Sequence, residues 1–545
     1  MNRKLRTGFY AFATATILTL GGCSEPSKVK DECCQSKTKA FTEDWESLKK
    51  VNDEPKWFKD AKFGIYTHWG PASQAFINMA PKEYMGGWHG MLMYGKEGIP
   101  NWKTGKIATG KDGIPKPTSN YLHHTEQFGD PVANPEKYGY KSLIKSFKTT
   151  GFDAKEWADL FEKSGAKFAG PVAMHHDNFA MWNSKATRWN SMNYGGKDIS
   201  GELKKEIEAR GMKFIGSFHH AFTWKYFAPA HVYGGDQIKE EDYDLYTEPH
   251  GYDSQMPTDR FHEEWWAKLK EYIDVYQPDV IWFDWWLENM KEEYRQKFMA
   301  YYYNKANEWG KEVAICFKES TFPDETAIRD YERGRPNQTK PDYWLTDTSP
   351  GTWFYRSNAK FVDANELVDI LVDIVAKNGN MLLNVPPDPD GTIPQVMKDL
   401  LLEMGAWLKV NGDAIYGTRP WACFGEGPTR LPSGGHKIER KKIRYTEKDI
   451  RFTKKSDTEF FAIVMDTPKK DIVIKTLSTD IAVLPVAIEK VELVGSQEEI
   501  KWKRTSKGLE IKAPSKYPTD YGHAFRIICE GYKEANIGGD LEQDL

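Results

Sequence analysis

The sequence has little of several features that would define other classes of protein. It contains six cysteines in 545 residues, too few for a disulfide framework in a chain of this length. Neither charge sign dominates, because 75 Lys and Arg residues face 79 Asp and Glu residues, for a formal net charge of −4. There is no long basic run, so a nucleic-acid surface, which needs clustered cations, is not expected. No apolar run of membrane-spanning length follows the N-terminal segment.

Aromatic residues, in contrast, are abundant. The chain has 20 Trp, 27 Tyr and 28 Phe residues, together 14% of the sequence, within a hydrophobic content of 40%. This composition is typical of a globular protein with a large core. It also suits a protein that binds sugars, because flat apolar rings match the C–H faces of a pyranose. Composition alone leaves both interpretations open.

The N-terminus has the pattern of an export signal. Three basic residues lie among the first six, and residues 8–20 form an apolar stretch that is too short to span a bilayer. The stretch ends in Leu20-Gly21-Gly22-Cys23, which resembles the bacterial lipobox, where the cysteine becomes a lipidated N-terminus. We therefore expect a signal peptide over residues 1–22 and a lipid-anchored polar tether over residues 23–44. The alternative is an ordinary signal peptide with an incidental cysteine.

Residues 45–420 alternate short apolar strands with amphipathic helices. The predicted strands are 63–68, 168–176, 213–220, 278–284, 313–318, 328–332, 344–348 and 380–385. The predicted helices are 153–164, 198–210, 262–276, 292–309 and 365–377. This alternation indicates a parallel sheet with crossover helices, and eight strands predict an α/β fold of the (β/α)8-barrel type. An open doubly wound sheet is the alternative, but no glycine-rich phosphate loop follows the first strand.

Residues 421–545 follow a different pattern. Short β-rich segments separated by turns replace the long helices, at 450–452, 459–465, 471–475, 488–493 and 508–512. This pattern predicts a smaller all-β sandwich domain. The Pro- and Gly-rich stretch 425–435 is the candidate boundary region.

The polar residues at the predicted strand ends are the candidate functional groups, because catalytic side chains of such barrels lie at the carboxyl ends of strands. They are His68, His175, His176, His219, His220, Asp284, Lys318, Glu332, Asp347 and Asn384. Taken alone, Asp284 could be a cap or part of an ion pair, and Glu332 could belong to a surface cluster of salt bridges. Together, two carboxylates on different strand ends are the minimum equipment for glycoside hydrolysis.

The paired histidines also admit an interpretation as zinc ligands. Adjacent residues in a strand face opposite ways, so His175 and His176 would offer one inward ligand unless the strand has already ended. The sequence has no His-Glu-x-x-His or His-x-His pattern either. Hydrogen bonding to sugar hydroxyls is therefore the favoured role, and no metal is expected.

Six segments in order along the barrel region carry a shared pattern. They are FGIYTHWG at 63–70, HHDNF at 175–179, PDVIWFD at 278–284, WLTDTS at 344–349, AKNGNMLLNVPP at 376–387 and GDAIYGTRP at 412–420. Together they resemble the α-L-fucosidases of glycoside hydrolase family 29. The resemblance implies a barrel followed by a β-sandwich, exo-acting removal of terminal α-L-fucose with retention of configuration, and no metal or other cofactor. The substrate would be a fucosylated oligosaccharide or polysaccharide.

The resemblance also implies roles by position. Asp284 matches the nucleophile of the family. The side chains expected to bind the sugar are His68, Trp88, His175, His176, His219, Trp282, Trp285, Lys318 and Trp353. Fucose is a 6-deoxy sugar, so Trp282, Trp285 and Trp353 would provide an apolar wall for its methyl group. The histidines and Lys318 would donate hydrogen bonds to its hydroxyls.

The general acid/base is a choice between two glutamates. Glu332 lies in a segment, Asp-Tyr-Glu-Arg-Gly, that resembles one branch of the family. Glu319 is the second candidate. If Lys318 points into the pocket, strand alternation turns Glu319 away from it, which favours Glu332.

The sequence departs from the family pattern at two places. Relatives carry Glu-Trp-Tyr after the first strand, whereas this chain has Gly86-Gly87-Trp88-His89, which keeps the ring and lacks the carboxylate. Ser217-Phe218-His219-His220 likewise replaces a Tyr-rich strand end. These departures leave open a barrel hydrolase for a related deoxy or sulfated sugar.

A third interpretation is a non-catalytic, lipid-anchored sugar-binding protein, although Asp284 at the nucleophile position argues against it. In each case the membrane would be contacted only through the N-terminal anchor. The anchor would place the chain in the bacterial envelope, and Ser24 directly after the cysteine favours the outer membrane.

Overall fold

The computed structural model describes residues 40–76, 86–101, 105–254, 256–431, 443–481 and 483–531. The predicted signal peptide, Cys23 and most of the predicted tether lie outside the described residues. Within the described ranges, no helix is both long enough and apolar enough to cross a membrane.

Eight parallel strands close into a barrel, in the order β1 to β8 with β8 pairing back onto β1. Their bounds are β1 Phe63–Thr67, β2 Phe168–Met174, β3 Lys213–Phe218, β4 Val280–Phe283, β5 Ala314–Lys318, β6 Ile328–Asp330, β7 Trp344–Thr348 and β8 Gly379–Asn384. Gly64, for example, pairs with Phe168 on one side and Leu382 on the other. The predicted barrel is confirmed, and the open sheet is excluded because the eight strands leave no free edge.

Helices pack outside the barrel. The long helices in the described ranges are α1 Ala154–Lys163, α2 Ile199–Ala209, α3 Asp259–Tyr276, α4 Glu292–Trp309, α5 Ala364–Ala376 and α6 Gln395–Asn411. Shorter helices are Trp45–Leu48, Lys56–Ala61, His89–Leu92, Ser119–Gln127, Pro135–Tyr138, Tyr140–Lys145, Ser191–Gly195, Thr223–Tyr226, Ala228–Val232 and Tyr243–Tyr246. The first five long helices agree with the predicted ones, and α6 was missed.

Local signals explain where these helices begin and end. The Asp153 side chain caps α1 by accepting hydrogen bonds from the N–H groups of Lys155 and Glu156, at 2.9 and 3.0 Å. Helix α4 ends at Gly310, whose φ of 64° is readily adopted only by glycine. Helix α6 follows Pro394 and has neither a side-chain cap nor an acidic first turn. That is why its start gave no sequence signal.

The connections on either side of β6 contain no helix. Residues 319–327 join β5 to β6, and residues 331–343 join β6 to β7. The second connection begins with the turn that carries Glu332. A loop in this position can place a side chain over the mouth of the barrel, where a crossover helix would pack on its outside.

The C-terminal part consists of two antiparallel sheets. One has the order β13-β16-β11-β10-β9 and the other the order β12-β15-β14. The strands are β9 Arg419–Glu426, β10 Ile450–Ser456, β11 Glu459–Val464, β12 Ile472–Ile474, β13 Ile488–Leu493, β14 Trp502–Thr505, β15 Gly508–Ile511 and β16 His523–Cys529. The predicted all-β character is confirmed, but β9, β14 and β16 were missed. We call these sheets the β domain.

Separate apolar clusters fill the two parts. One cluster, including Phe168, Ile215 and Leu382, fills the inside of the barrel, and another, including Trp421 and Phe525, lies between the sheets of the β domain. The cysteines in the described residues, Cys316, Cys423 and Cys529, are buried free thiols, as expected.

Several strands end one or two residues earlier than predicted. Strand β2 ends at Met174, before both His175 and His176, and β3 ends before His219. Strand β4 ends at Phe283, so Asp284 is the first residue beyond it. Once the chain leaves the ladder, strict alternation of side chains no longer applies. Consecutive residues can therefore point into the mouth of the barrel.

Candidate active site

Asp284 lies at the centre of the barrel mouth and is only 6% exposed. Its Oδ2 is 2.9 Å from Nδ1 of His219 and 3.6 Å from Nε2 of His176. Its Oδ1 is 3.0 Å from Nζ of Lys318. The carboxylate is therefore held by groups from three other strand ends.

The groups around Asp284 determine whether its carboxyl group is charged. Burial by itself raises the pKa of its carboxyl group, because a charged group loses water. The Lys318 ammonium, followed by His219 and His176, outweighs burial and holds the pKa well below its usual range. Asp284 is therefore an anion at neutral pH, as a nucleophile requires.

Lys318 is shared by three carboxylates. Its Nζ lies 3.0 Å from Asp284, 3.1 Å from Asp347 and 3.3 Å from Glu332. Burial opposes the charged form of Lys318, but these anions raise its pKa well above the usual value. The ammonium also lies over the ring of Trp282, 4.9 Å from its centre. It is a permanent positive charge in the pocket.

Glu332 and Asp284 contact the same ammonium group, that of Lys318. Because both carboxylate oxygens contact the same nitrogen, their separation is less than the sum of 3.0 and 3.3 Å. That sum falls short of the roughly 6.5–9.5 Å of inverting glycosidases and is compatible with the roughly 5–5.5 Å of retaining ones. Glu332 lies on the turn after β6, and its side chain is 19% exposed.

Glu319 takes a different direction. Lys318 is buried, whereas Glu319 is exposed and has a left-handed φ of 59° as the chain leaves β5. Its carboxyl group lies beside that of Glu288, outside the set of groups around Lys318. The expected divergence of the two neighbouring side chains is therefore found.

Four histidines line the pocket beside Asp284. The Nδ1 atoms of three of them are fixed by oxygens: His68 by the amide oxygen of Asn384 at 2.9 Å, His176 by the His219 carbonyl at 2.9 Å, and His219 by Asp284 at 2.9 Å. His175 packs among them, 4.6 Å from His219 between ring centres. Because β2 ends at Met174, both members of the pair face the pocket.

Burial keeps three of these rings neutral. It lowers the pKa of His68 and His175 well below the usual value and that of His176 to about 4. A neutral imidazole can donate or accept a hydrogen bond, which suits a hydroxyl. The same nitrogens also lie close enough to hold a metal ion, in the sets His68, His175, His219 and His176, His219, Asp284. The expectation of no metal therefore stays a prediction.

Aromatic rings close the sides of the pocket. The indole rings of Trp88 and Trp285 are nearly parallel, at 28° and 6.1 Å between centres. Trp353 lies 5.4 Å from the His68 ring. Trp282 is fully buried and lies below the pocket, 5.1 Å from His219. The predicted sugar-binding side chains thus lie together at the mouth of the barrel.

The structure also corrects the list of strand-end residues. His220 is buried against Trp265 and takes no part in the pocket. Sequence analysis missed Tyr66, whose hydroxyl donates to Asp347 at 2.9 Å, and Asp330, which accepts a hydrogen bond from the Trp282 indole. Both lie inside strands, and inward alternation from the strand ends was the signal that could have found them.

Gly87, at one of the two places where the sequence departs from the expected family pattern, lies in a crowded part of the pocket wall. A Cβ atom at Gly87 would lie 3.0 Å from His175 and 3.1 Å from Phe354. These two rings occupy the space into which a longer side chain would extend. A longer side chain at this position would therefore require these rings to move.

A barrel with a buried anionic carboxylate and a second carboxyl group across a lysine defines a glycosidase of the (β/α)8 class. A family model for alpha-L-fucosidase matches residues 29–413, and one for the alpha-L-fucosidase C-terminal domain matches residues 442–528. The chain belongs to the α-L-fucosidase family.

Individual relatives agree with this assignment. The chain is 31% identical to human plasma alpha-L-fucosidase over 399 residues, covering 70% of this chain and 73% of that protein. It is 30% identical to a Dictyostelium discoideum alpha-L-fucosidase over 384 residues, covering 67% and 72%. The crystal structure of Thermotoga maritima alpha-fucosidase superposes with a TM-score of 0.67 at 28% identity, covering 90% of this chain and 100% of that one.

Replacing the shared lysine tests the electrostatics of the pocket. In Lys318→Met, loss of the ammonium should raise the pKa of Asp284, because the largest effect that opposes burial is then gone. The acid limb of kcat/KM against pH for an aryl α-L-fucoside should move to higher pH. Lys318→Arg, which keeps the charge, should move it less.

Lys213→Met is the matched control, since Lys213 pairs with Asp279 at 3.2 Å at the start of β3, away from the mouth. Its acid limb should match the wild type. An unchanged limb in folded Lys318→Met would contradict the role assigned to the ammonium.

Proposed function

We propose that this chain is an exo-acting, retaining α-L-fucosidase that releases terminal α-L-fucose from fucosylated glycans. One observation carries the proposal: Asp284 is held as an anion at the barrel mouth, with Glu332 across the same lysine. Membership of the α-L-fucosidase family supports the choice of sugar.

The two carboxyl groups divide the chemistry of two displacements. In the first, Asp284 attacks the anomeric carbon, the bond to the leaving oxygen breaks, and Glu332 gives that oxygen its proton. In the second, Glu332 removes a proton from water, the water oxygen bonds to the anomeric carbon, and the bond to Asp284 breaks. Two inversions give retention.

Of the three carboxylates around Lys318, Glu332 is the one best placed to leave the lysine and contact the substrate. A general acid must carry a proton, and contact with Lys318 favours the ionised form. The side chains of Asp284 and Asp347 are 7% and 2% exposed, whereas that of Glu332 is 19% exposed and lies on a turn. Glu332 can therefore leave Lys318 for the leaving-group oxygen while the other two carboxylates retain the ammonium.

The remaining side chains suit fucose. Neutral His68, His175 and His176 would bind hydroxyls without placing a charge against them, and Lys318 would add a strong donor. Trp285 and Trp353 would face the apolar 6-methyl edge.

A related deoxy or sulfated sugar is the second candidate substrate, and Gly87 favours it. The missing carboxylate removes one acceptor for a hydroxyl and one negative charge that would repel a sulfate. A panel of aryl glycosides, with and without sulfate, separates the two: fastest turnover of a non-fucosyl or sulfated member would replace fucose in the proposal.

Asp284→Asn tests the nucleophile. This nearly isosteric change removes the attacking charge, so kcat should fall roughly 10³-fold or more while fucose still binds. In a variant with the side chain shortened, Asp284→Ala, azide should restore turnover and give the β-fucosyl azide, identified by NMR, because the anion attacks from the vacated face.

Asp279→Asn is the control, since Asp279 precedes the same strand and accepts a hydrogen bond from the Phe214 N–H at the other end of the barrel. It should stay active. More than a few per cent of wild-type kcat in Asp284→Asn would show that the nucleophile is another group.

Leaving-group dependence decides between the two glutamates. Glu332→Ala should slow substrates with poor leaving groups by about 10²–10⁴-fold and activated aryl fucosides far less, because good leaving groups need little protonation. Glu319→Ala should slow neither class selectively. The reverse pattern would make Glu319 the acid/base.

We also propose that the chain is lipid-anchored through Cys23 in the bacterial envelope, on the side that Ser24 favours, the outer membrane. The support is the sequence pattern alone, with a basic start, a short apolar stretch and a lipobox-like end. The barrel and the β domain would then act on glycans at the membrane surface.

Cys23→Ser tests the anchor. Acyl chains are what would hold the protein to the membrane, so the variant should appear as soluble active protein or remain unprocessed. Cys33→Ser and Cys34→Ser, in the same stretch, should partition like the wild type, as measured by membrane fractionation. A folded Cys23→Ser protein that has lost its signal peptide and still stays fully membrane-bound rules the lipid anchor out.

A further inference from the structure

A second cluster of buried charges lies outside the pocket, around Asp373 of helix α5. Asp373 is fully buried, and its carboxylate accepts from Nε of Arg451 at 2.7 Å and from Nζ of Lys377 at 2.9 Å. Nη1 of Arg335 lies 3.5 Å from the same carboxylate. These cations hold the pKa of Asp373 below its usual value despite burial.

The cluster joins two distant parts of the chain. Arg451 belongs to β10, next to the end strand β9 of the five-stranded sheet in the β domain. Arg335 lies on the connection between β6 and β7, three positions after Glu332. One buried carboxylate therefore contacts both the β domain and the loop that carries the proposed acid/base.

The turn between Glu332 and Arg335 needs such support. Arg333 has a left-handed φ of 44°, a conformation that costs a non-glycine residue free energy and persists only when its surroundings hold it. Its N–H donates to the Asp347 carbonyl at 2.9 Å and its guanidinium to the Gly351 carbonyl at 2.7 Å. These bonds fix the first part of the turn to residues in and just after β7. Arg335 fixes the end of the turn through its contact with the buried Asp373.

A gain in folding stability does not by itself explain why these charges are buried together. Three cations surround one strongly ionised carboxylate, and burial of ion pairs returns little net stability compared with apolar packing. Asp369, one turn earlier on α5, adds little negative charge to balance these cations, because burial raises the pKa of its carboxyl group well above the usual value. What such a cluster does provide is a fixed distance between the groups that share it.

We infer that Arg335, Asp373 and Arg451 are positioning residues through which the β domain holds the Glu332 turn at the mouth of the barrel. The inference rests on the proposed role of Glu332. It gives the β domain a part in catalysis without any contact with substrate.

Arg335→Met and Arg451→Met test this inference in the full-length protein. Misplacement of Glu332 should lower kcat/KM by about 10- to 100-fold for a fucoside with a poor leaving group and much less for an activated aryl fucoside. Arg451→Lys should recover part of the loss because it keeps the charge.

Arg444→Met is the matched control. Arg444 lies in the segment just before β10 and, like Arg451, pairs with α5, through Asp363 at the start of that helix, at 2.9 Å. That pair lies at the surface and does not reach the Glu332 connection. The control should leave the ratio of the two rates unchanged.

Equal losses on both substrates in folded Arg335→Met, or the same selective loss in Arg444→Met, would overturn the inference. If Arg335→Met does not fold, Arg451→Met and Arg451→Lys decide by the same ratio. Failure of the proposed function looks different: the wild type would be inactive on all aryl fucosides, or Glu332→Ala would show no leaving-group dependence.

Discussion

The ammonium of Lys318 is the interaction on which the rest of the pocket depends. Asp284, Asp347 and Glu332 all lie within 3.3 Å of it, and the side chains of the two aspartates are buried. Without this cation, burial would raise the pKa of Asp284, as it raises the pKa of Asp347 even beside the lysine. The lysine thus fixes both the charge of the proposed nucleophile and its distance from the proposed acid/base.

The closed barrel brings the carboxylates close enough together for one lysine to contact all three of them. Parallel strands deliver Lys318, Asp284 and His219 to the same end, from neighbouring positions in the closed sheet. The early ends of the strands matter as much as their order. Because β2 stops at Met174, two consecutive histidines reach the pocket, which strict alternation would forbid. The missing helices around β6 leave a turn free to lie over the mouth.

The chain belongs to the α-L-fucosidase family and shares the fold of its solved structures, and one wall of its pocket is crowded around Gly87. At Gly87 two rings fill the place of a side chain, which changes what the wall can offer a sugar hydroxyl. The β domain adds a second constraint at a distance, because Arg451 and Arg335 meet on one buried carboxylate. The contacts that bear on the choice of sugar, around Gly87, are therefore separate from those proposed to position the Glu332 turn, around Asp373.

The sequence by itself determined the periodicity of strands and helices and the change to β structure after residue 420, and it singled out Asp284 and Glu332 as candidates, because these rest on local pattern and on motif. It missed helix α6, which has no cap, and strands β9, β14 and β16. Only the tertiary structure decided that Lys318 joins three carboxylates, that His220 turns away, and that Arg335 meets Arg451. Those contacts join residues far apart in the chain, and their distances follow from barrel closure and domain packing, which no local pattern encodes.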